Sequence, residues 1–169
     1  MNIKLKSLKS INLKKNELSQ IFKLKNSHWE TGINEQKKWF KKNINQNDIH
    51  NIIYFNNKII GYNCLRNMRL IQNRNKYLLF DTIIIKNVYR KLKLGSLLME
   101  QNNVIIKKKK IAALLLCDQK KIQFYKKNKW KLVSQRLYQK KKIKKYLMTF
   151  NDTKLFFNKQ KLSLFCQRF

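Results

Sequence analysis

The sequence predicts a mixed α/β fold, of the α+β kind, in which strands and helices alternate along one domain. Apolar residues follow the two-residue period of strands in some segments and the wider spacing of helices in others. In chain order these segments give β-α-α-β-β-β-α-β-α-β-β. A three-strand meander followed by a strand–loop–helix–strand crossover indicates a mixed sheet. The length of 169 residues fits one domain over residues 1–150, with a C-terminal extension, residues 151–169, packed on it.

Each predicted element follows from its local pattern. Helices are predicted where apolar residues share one face, and strands where they alternate or form a short apolar run. The pair Asn56-Asn57 tolerates the positive φ angles of a tight hairpin between two strands. Gly61, inside the second of these strands, predicts a bulge or a close backbone approach. The predicted strands are Met1–Leu8, Ile49–Phe55, Lys58–Met68, Tyr77–Ile85, Ile111–Cys117, Trp130–Tyr138 and Lys145–Phe150, and the predicted helices follow Leu13 and Asn34 and span Gly95–Ile106 and Lys120–Lys127.

The chain is strongly basic, with 40 Lys and Arg against 8 Asp and Glu and a formal net charge of +32. This balance excludes an acidic solvating protein and favours anionic partners: nucleic acid, phosphate-bearing cofactors or a membrane surface. The basic residues are mostly Lys, and Asn, Ile, Phe and Tyr are also abundant. Because all five are encoded by A/T-rich codons, genome bias explains much of the charge. Nucleic acid is therefore an open but less favoured partner.

Cysteine and histidine are few and widely spaced. Cys64, Cys117 and Cys166 form no C-x-x-C pair, and only His28 and His50 could join them, so no metal site is predicted. The cysteines are expected to be reduced core residues, and His50, at a strand start, to be structural. No apolar run reaches membrane-spanning length, and the N-terminus lacks the apolar segment of a signal peptide. A cytoplasmic protein is therefore expected.

The segment from Asp81 to Met99 carries the clearest functional pattern. A strand runs into the basic loop Arg90–Lys93, which opens a helix at Gly95-Ser96. The N-terminus of a helix presents unpaired N–H groups and the positive end of the helix dipole, so it binds anions readily. Three cationic side chains in the loop add full positive charges. The pattern predicts a pyrophosphate site; a solvated basic loop capping a helix is the alternative.

This segment resembles motif A of the GNAT superfamily, the acyl-CoA-dependent N-acetyltransferases. In that family a strand ending in Val leads through a Tyr-Arg step to R/Q-x-x-G-x-G/A and a Leu-rich helix. Ile85, Tyr89-Arg90 and Gly95 occupy the corresponding positions, followed by the helical run Ser96–Met99. Lys93 stands in place of the first motif glycine, and its Cβ restricts φ there.

A second match follows at the expected distance. The family's next helix often reads N-x-x-A-x-x-F-Y-x-x-x-G-F, and Asp118–Trp130 resembles it. Phe124-Tyr125 keep their places, and Trp130 supplies the final aromatic. Asp118 replaces Asn, and Lys stands for both Ala and Gly. Two spaced matches in the right order are more specific than either alone.

The resemblance implies a GNAT-like acyl-CoA N-acyltransferase fold: a largely antiparallel sheet, splayed in its middle, with helices on both faces. It implies direct attack of a primary amine on acetyl-CoA, used as a co-substrate without a metal. The acceptor (a small molecule such as an amino sugar, or a protein amine) stays open, as does the choice between monomer and homodimer. The implied acetyl-CoA contacts are Ile83, Ile84 and Ile85 for the pantetheine arm, Arg90, Lys91, Leu92, Lys93, Leu94, Gly95 and Ser96 for the pyrophosphate, and Asp118.

Two residues are candidates for proton transfer. Tyr125 matches the position that often protonates the leaving thiolate in the family, and a buried aromatic residue is its alternative role. Asp81 is the candidate base, because a carboxylate in an apolar strand is unfavourable unless it is paired or functional. Strand alternation predicts that Asp81 shares a face with Ile83 and Ile85. An ordinary salt bridge is the alternative for Asp81, and many relatives deprotonate their amine through water.

The acceptor pocket of the family often lies between the first two helices, where His28, Trp29 and Glu30 fall. His28 is a candidate base or acceptor contact, Trp29 a stacking wall and Glu30 an anchor for a cation. Packing of the His-Trp pair within the loop is the alternative. Two other functions stay open for the chain: a basic nucleic-acid-binding protein on this fold, and a member that lost catalysis with the glycine at position 93.

Overall fold

The computed structural model describes residues 2–69, 75–133 and 145–151. The order of elements is the predicted one. Predicted boundaries that extend into residues 134–144, and the extension after residue 151, lie outside the described residues. The strands are β1 (Ile3–Lys9), β2 (Ile49–Phe55), β3 (Lys58–Arg69), β4 (Lys76–Ile85), β5 (Ala113–Cys117), β6 (Lys131–Leu132) and β7 (Tyr146–Phe150), and the helices are α1 (Lys15–Trp29), α2 (Ile33–Asn43), α3 (Leu94–Lys109) and α4 (Ile122–Lys127).

The sheet is mixed and largely antiparallel, in the order β1-β2-β3-β4-β5-β7-β6. Antiparallel ladders join β1 to β2, β2 to β3, β5 to β7 and β6 to β7. The β4–β5 pair is parallel, and its register joins Leu78 to Ala113 and Leu79 to Leu114. Such a pair requires a crossover, which α3 provides. The fold class predicted from the sequence is confirmed.

The chain forms two compact units. The first comprises residues 2–66 and 81–102, and the second residues 67–69, 75–80, 103–133 and 145–151. The first unit therefore holds β1, β2, most of β3, the second half of β4, helices α1 and α2, and the start of α3.

Helices cover both faces of the sheet in the first unit. Ile21 and Leu24 of α1 pack in one cluster with Ile52, whereas Leu94 and Leu98 of α3 pack in another with Ile53. Because consecutive strand residues point to opposite faces, Ile52 and Ile53 assign α1 and α3 to different sides. The predicted arrangement of helices is confirmed in this unit.

The hairpin between β2 and β3 has both predicted features. Asn56 and Asn57 have φ angles of 47° and 60°, as a two-residue turn of this hand requires. The register shifts between Ile53, which pairs with Gly61, and Tyr54, which pairs with Ile59, so β3 carries one extra residue. A Cβ at Gly61 would lie 2.8 Å from Cδ1 of Ile85. Gly61 thus lies beside the bulge and leaves room for the side chain of Ile85 on β4.

His50 and two of the cysteines are structural, as predicted. His50 is fully buried, with its ring nitrogens 2.7 Å from Oγ of Ser10 and 2.8 Å from the hydroxyl of Tyr62. Burial, aided by the charge of Lys25, lowers the pKa of His50 to about 4, so the ring is neutral. Cys64 and Cys117 are buried free thiols, and burial raises the pKa of each.

The second unit has an apolar cluster that includes Tyr77, Leu79, Leu114 and Leu147. An aromatic group lies beside Trp130, which is 2% exposed and stacks on Phe150. The indole N–H of Trp130 donates to Oδ1 of Asn103 at 3.0 Å. The predicted aromatic position at residue 130 is therefore a core residue of this unit. No helix of the described residues is long and apolar enough to cross a membrane.

Candidate active site

The loop before α3 is an exposed cationic surface. Arg90, Lys91, Leu92 and Lys93 are all exposed, and the helix begins at Leu94. Among the helical bonds, the N–H of Leu97 donates to the carbonyl of Lys93 at 3.1 Å. The N–H groups of the three preceding residues therefore have no intrahelical acceptor, and they lie at the positive end of the helix dipole. This part of the prediction, a basic loop that opens a helix, is confirmed.

Lys93 adopts the backbone conformation expected of a glycine. Its φ is 58°, in the left-handed region, and Lys91 has a φ of 65°. A left-handed residue next to the right-handed start of a helix directs successive N–H groups toward one concavity, a geometry that binds anions. Lys93 therefore does not abolish the turn that the family motif builds with glycine. It keeps the turn and adds a charge, at a cost of roughly 1–2 kcal/mol in backbone strain.

Arg90 connects the loop to two other candidate residues. Its Nε donates to the carbonyl oxygen of Ile85 at 3.3 Å, and Nη2 lies 3.4 Å from Nδ1 of His28. A residue predicted for acetyl-CoA thus lies beside one predicted for the acceptor. His28 lies in the last turn of α1 rather than in a free loop, and its ring meets that of Trp29 edge to face at 4.7 Å.

The second half of β4 is the outermost strand segment of the first unit, next to β3. The N–H of Lys86 donates to the carbonyl of Ile60 on the β3 side at 2.8 Å. The register between β4 and β5 covers only Leu78 and Leu79, so Ile83, Ile84 and Ile85 lie beyond it, and a ligand with amide groups can add to their backbone as a further strand.

Side-chain directions in β4 depart from the predicted alternation. Ile83 and Ile85 pack on the α3 side with Leu94. Asp81 instead lies beside Arg66 and interacts electrostatically with Lys25 of α1. The prediction that Asp81 shares a face with Ile83 and Ile85 is wrong, because β4 does not alternate regularly between these positions. The carboxylate consequently belongs to the α1 side of the sheet.

Asp81 is a buried carboxylate with incomplete pairing. Its side chain is 3% exposed, and Oδ1 lies 4.0 Å from Nη1 of Arg66. The hydroxyl of Thr82 reaches Oδ2 at 3.4 Å, at the long end of the hydrogen-bond range. Burial raises the pKa of Asp81, and the opposing effects of Arg66, Lys25 and Thr82 do not cancel it. A carboxyl with a raised pKa can accept a proton from an amine near neutral pH.

Sequence reasoning missed Lys25, Trp39 and Arg66, which surround Asp81. Nζ of Lys25 lies 4.0 Å from the ring centroid of Trp39, and the Arg66 guanidinium carbon lies 5.6 Å from the same centroid. Lys25 is only 5% exposed. Its helical spacing from Ile21 and Trp29 is the signal that could have identified it, because Lys25 falls on the apolar face of α1.

Trp29 and Glu30, which were also predicted for the acceptor, differ in their position relative to the side chains of Lys25 and Asp81. Trp29 is 42% exposed, and its ring centroid lies 5.9 Å from Nζ of Lys25. Glu30 ends α1 in a left-handed conformation and is exposed, with its N–H bound to the carbonyl of Asn26. The structure thus places the partly exposed Trp29 beside Lys25, whereas Glu30 forms the turn after the helix.

Tyr125 lies in the second unit, on α4. The residue is buried, with ring centroids of Phe80 and Phe124 at 6.1 and 5.1 Å. Its hydroxyl makes no hydrogen bond within the described ranges, and the oxygen is not among their fully buried unpaired polar atoms, so it can reach solvent or a ligand. Burial raises the pKa of Tyr125, so the phenol keeps its proton at neutral pH. Asp118 is exposed at the end of β5, and its carbonyl accepts the N–H of Lys121 at 2.9 Å.

The residues of the first unit fit a ligand with a pyrophosphate and an amide-bearing arm. The exposed cationic turn at Lys93 suits the pyrophosphate, and the open edge at Ile83–Ile85 suits the amides. Among the described residues, no group of three or more His, Cys, Asp or Glu could hold a metal ion.

Comparisons with solved structures identify the fold. An acyl-CoA N-acyltransferase from Pseudomonas aeruginosa matches with a TM-score of 0.69 and 13% identity, over 88% of this chain and 99% of the other. Escherichia coli ElaA matches with a TM-score of 0.67 and 13% identity, over 88% and 99%. A PaiA N-acetyltransferase from Thermoplasma acidophilum, solved in complex with coenzyme A, matches with a TM-score of 0.63 and 16% identity, over 88% and 98%.

No family model and no curated protein matches the sequence. At these sequence identities the structural matches are evidence for the fold alone. The shared fold extends over nearly the full length of each similar chain. Together with the two sequence motifs, they assign the chain to the fold of the GNAT acyl-CoA N-acyltransferases.

Proposed function

We propose that this protein is an N-acetyltransferase that transfers the acetyl group of acetyl-CoA to a primary amine. The observation that carries the proposal is the left-handed, cationic turn at Lys93, at the start of α3 and shortly after the open edge of β4. It supplies a pyrophosphate site and a strand edge within one unit. The T. acidophilum protein of the same fold is described in complex with coenzyme A.

In this proposal the residues of the first unit bind and orient the co-substrate. Arg90, Lys91 and Lys93 neutralise the pyrophosphate, and the N–H groups of Leu94, Gly95 and Ser96 donate hydrogen bonds to it. Backbone groups of Ile83–Ile85 pair with the pantetheine amides and fix the direction of the arm. Acetyl-CoA supplies an activated acyl group as a thioester.

Proton transfers are assigned to Asp81 and Tyr125. Asp81 takes one proton from the attacking ammonium group, which leaves a nucleophilic amine. A bond forms between this nitrogen and the acetyl carbon, and the carbon–sulfur bond breaks. Tyr125 donates its phenolic proton to the departing thiolate. The nitrogen then releases its second proton, which restores the phenol of Tyr125 and leaves a neutral amide. His28 and Trp29 are assigned to the acceptor, beside Arg90.

The proposal is tested by incubating the full chain with acetyl-CoA and a panel of primary amines. Free thiol release is followed, and the acetylated product is identified by mass spectrometry. Arg90→Gln is expected to raise the KM for acetyl-CoA by about tenfold, because one charge-assisted contact to phosphate is lost. Arg69→Gln, an exposed site on β3, is the matched control and should leave KM unchanged. Absence of thiol release with every amine would contradict the proposal.

The rival function, nucleic-acid binding, is favoured by the net charge of +32 and by aromatic residues among lysines, such as those of Lys126–Trp130. Trp130 itself is buried in the core of its unit, which leaves the charge as the main support. It predicts a steep salt dependence of RNA or DNA binding that persists at physiological ionic strength. It also predicts that Arg90→Gln and Arg69→Gln weaken nucleic-acid binding to a similar degree, since a diffuse charge has no privileged site.

A further inference from the structure

The most unusual part of the first unit is a group of two cations, one carboxylate and one indole on the α1 side of the sheet. We call Lys25, Trp39, Arg66 and Asp81 the basic–aromatic cluster. Both cations lie over the same indole ring, at 4.0 and 5.6 Å from its centroid. The carboxylate lies 4.0 Å from the guanidinium. All four side chains belong to one compact unit.

Lys25 is a buried ammonium group without a close anion. The residue is 5% exposed, and no carboxylate of the described residues lies within 4.0 Å of its nitrogen. Burial lowers the pKa of Lys25 despite the attraction of Asp81. A buried lysine is unfavourable unless an anion accompanies it. The indole of Trp39 offers only a cation–π contact, and the nitrogen of Lys25 is not among the fully buried unpaired polar atoms of the described residues, so its donors can reach solvent or a ligand.

Arg66 also has unused donors. Its side chain is 14% exposed, and its contact with Asp81 is longer than a charge-assisted hydrogen bond. Nε is fully buried and has no hydrogen-bond partner in the described parts of the chain. A guanidinium presents five N–H donors in a planar fork that matches a carboxylate. This geometry leaves much of that fork available.

The charges in the cluster do not balance. Lys25 and Arg66 contribute two positive charges and Asp81 one negative charge, which gives a net charge of +1 while Asp81 is ionised. The Cys64 thiol, which also lies close, stays neutral because burial raises its pKa. Asp48 is a second buried carboxylate, whose charge acts on Asp81 and Cys64 and whose Oδ2 accepts the N–H of Asn45. Within the four side chains of the cluster itself, two cations face one carboxylate, so an anion placed between Lys25 and Arg66 would be attracted to both.

We propose that the acceptor is a small amine that carries a carboxylate a few bonds from its nitrogen, as an α- or β-amino acid does. This inference rests on the proposed acetyltransferase function. The amine binds beside Asp81, and the carboxylate binds the free fork of Arg66 and the ammonium group of Lys25. Trp39 lies beneath both cations, and the exposed Trp29 lies beside Lys25, on the side from which the acceptor would approach.

The spacing of the cluster limits the size of the acceptor. Asp81 and Arg66 are 4.0 Å apart at their nearest atoms, so groups that bind them must be separated by only a few bonds. A polyamine or an amino sugar without an acidic group would leave Lys25 and Arg66 without an anion, and its positive charge would be repelled. The planar fork of a guanidinium matches a carboxylate with two parallel N–H bonds, and a phosphonate of the same length tests whether a larger anion is accepted as well.

The test uses the full chain, saturating acetyl-CoA and three matched amines: glycine, glycinamide and aminomethylphosphonate. The measured quantity is the ratio of kcat/KM for glycine to kcat/KM for glycinamide, in the native protein and in each variant. Comparing ratios between variants removes the difference in amine basicity. Arg66→Gln should lower the ratio by about tenfold or more, because the carboxylate loses a charged partner. Arg69→Gln, three residues along the same strand and exposed, should change it by less than about twofold.

A second variant and a second measurement keep the test informative if Arg66→Gln does not fold. Arg66→Lys keeps the charge but loses the fork, so it should lower the ratio by an intermediate amount. Binding is also measured without turnover, by titrating tryptophan fluorescence with N-acetylglycine and with its amide. Only the carboxylate should give a saturable change, and Lys25→Met should weaken it.

The outcomes separate the two claims. An unchanged ratio in both Arg66 variants, or a native preference for glycinamide, would overturn the inference and leave acetyl transfer intact. Preference for the phosphonate would overturn the carboxylate assignment. If no amine releases thiol, the proposed function fails. In that case, absence of N-acetylglycine binding would also remove the anion site itself.

Discussion

Nη1 of Arg66 lies 4.0 Å from Oδ1 of Asp81, a carboxylate that is 3% exposed in the interior of the sheet. Burial, set against the charges of Arg66 and Lys25, raises the pKa of Asp81. The pair is thus too long to fix the carboxylate as a simple salt bridge, and the group stays able to take up a proton.

Asp81→Asn should flatten the rise of kcat/KM with increasing pH. In the native protein this rise follows deprotonation of Asp81 and lies above the ordinary range of an aspartate, because its pKa is raised. The measurement is a pH–rate profile with one amine. Glu35→Gln, an exposed carboxylate on α2 that pairs with Lys38, is the control and should keep the native profile. An identical profile for Asp81→Asn would mean that Asp81 forms a structural salt bridge and does not act as the base.

Tyr125→Phe should lower kcat by about 10²–10⁴-fold while leaving the KM for acetyl-CoA nearly unchanged, as loss of a general acid does. Stability should change by less than about 0.5 kcal/mol, because the hydroxyl makes no hydrogen bond within the described ranges. Steady-state kinetics and urea unfolding check the two effects. Tyr146→Phe, a partly buried site on β7, serves as the control. Turnover equal to the native value would remove Tyr125 as the acid.

Lys93→Gly should leave the free energy of unfolding unchanged or raise it by up to about 1 kcal/mol. Glycine relieves the left-handed strain at φ 58° but increases the entropy of the unfolded chain, so the two effects partly cancel. Glu100→Gly, at an exposed position in the interior of α3, should instead lower stability by about 1 kcal/mol. The free energy of unfolding of both variants is measured in urea. A similar decrease in both would mean that the turn at Lys93 does not require a left-handed conformation.

The stability of the protein should fall as the pH is lowered from about 6.5 toward 4 because of His50. Its folded pKa of about 4 lies below the unfolded value, so the unfolded state binds the proton first. The expected slope is at most about 1.4 kcal/mol per pH unit. Urea unfolding between pH 6.5 and 5 measures it, and His50→Asn should reduce the slope whereas His28→Asn should not. Equal slopes in all three proteins would contradict a buried, neutral His50.

The fold was largely predictable from sequence, because apolar periodicity and turn residues act locally. Asn56-Asn57 indicated the hairpin through their tolerance of positive φ angles, and a glycine within a strand, Gly61, indicated the bulge beside it. The loop at Arg90–Lys93 was recognisable because its motif is contiguous in the chain.

The acceptor side of the candidate site was less predictable. Lys25, Trp39 and Arg66 come from three elements, and nothing local to any of them indicates that both cations meet one indole. The direction of Asp81 was also missed, since regular alternation breaks within β4. A lysine on the apolar face of α1 was the one available signal, and the abundance of lysine in the chain concealed it.

The central claim is that the start of α3 is an acetyl-CoA site rather than part of a diffuse basic surface. Calorimetric titration with acetyl-CoA at physiological salt tests it directly, with ATP and a short RNA as anionic controls. We predict saturable binding that depends on the pantetheine arm and that ATP does not match. No binding of acetyl-CoA together with tight binding of RNA would contradict the account, and would mean that the charge of the chain is its function.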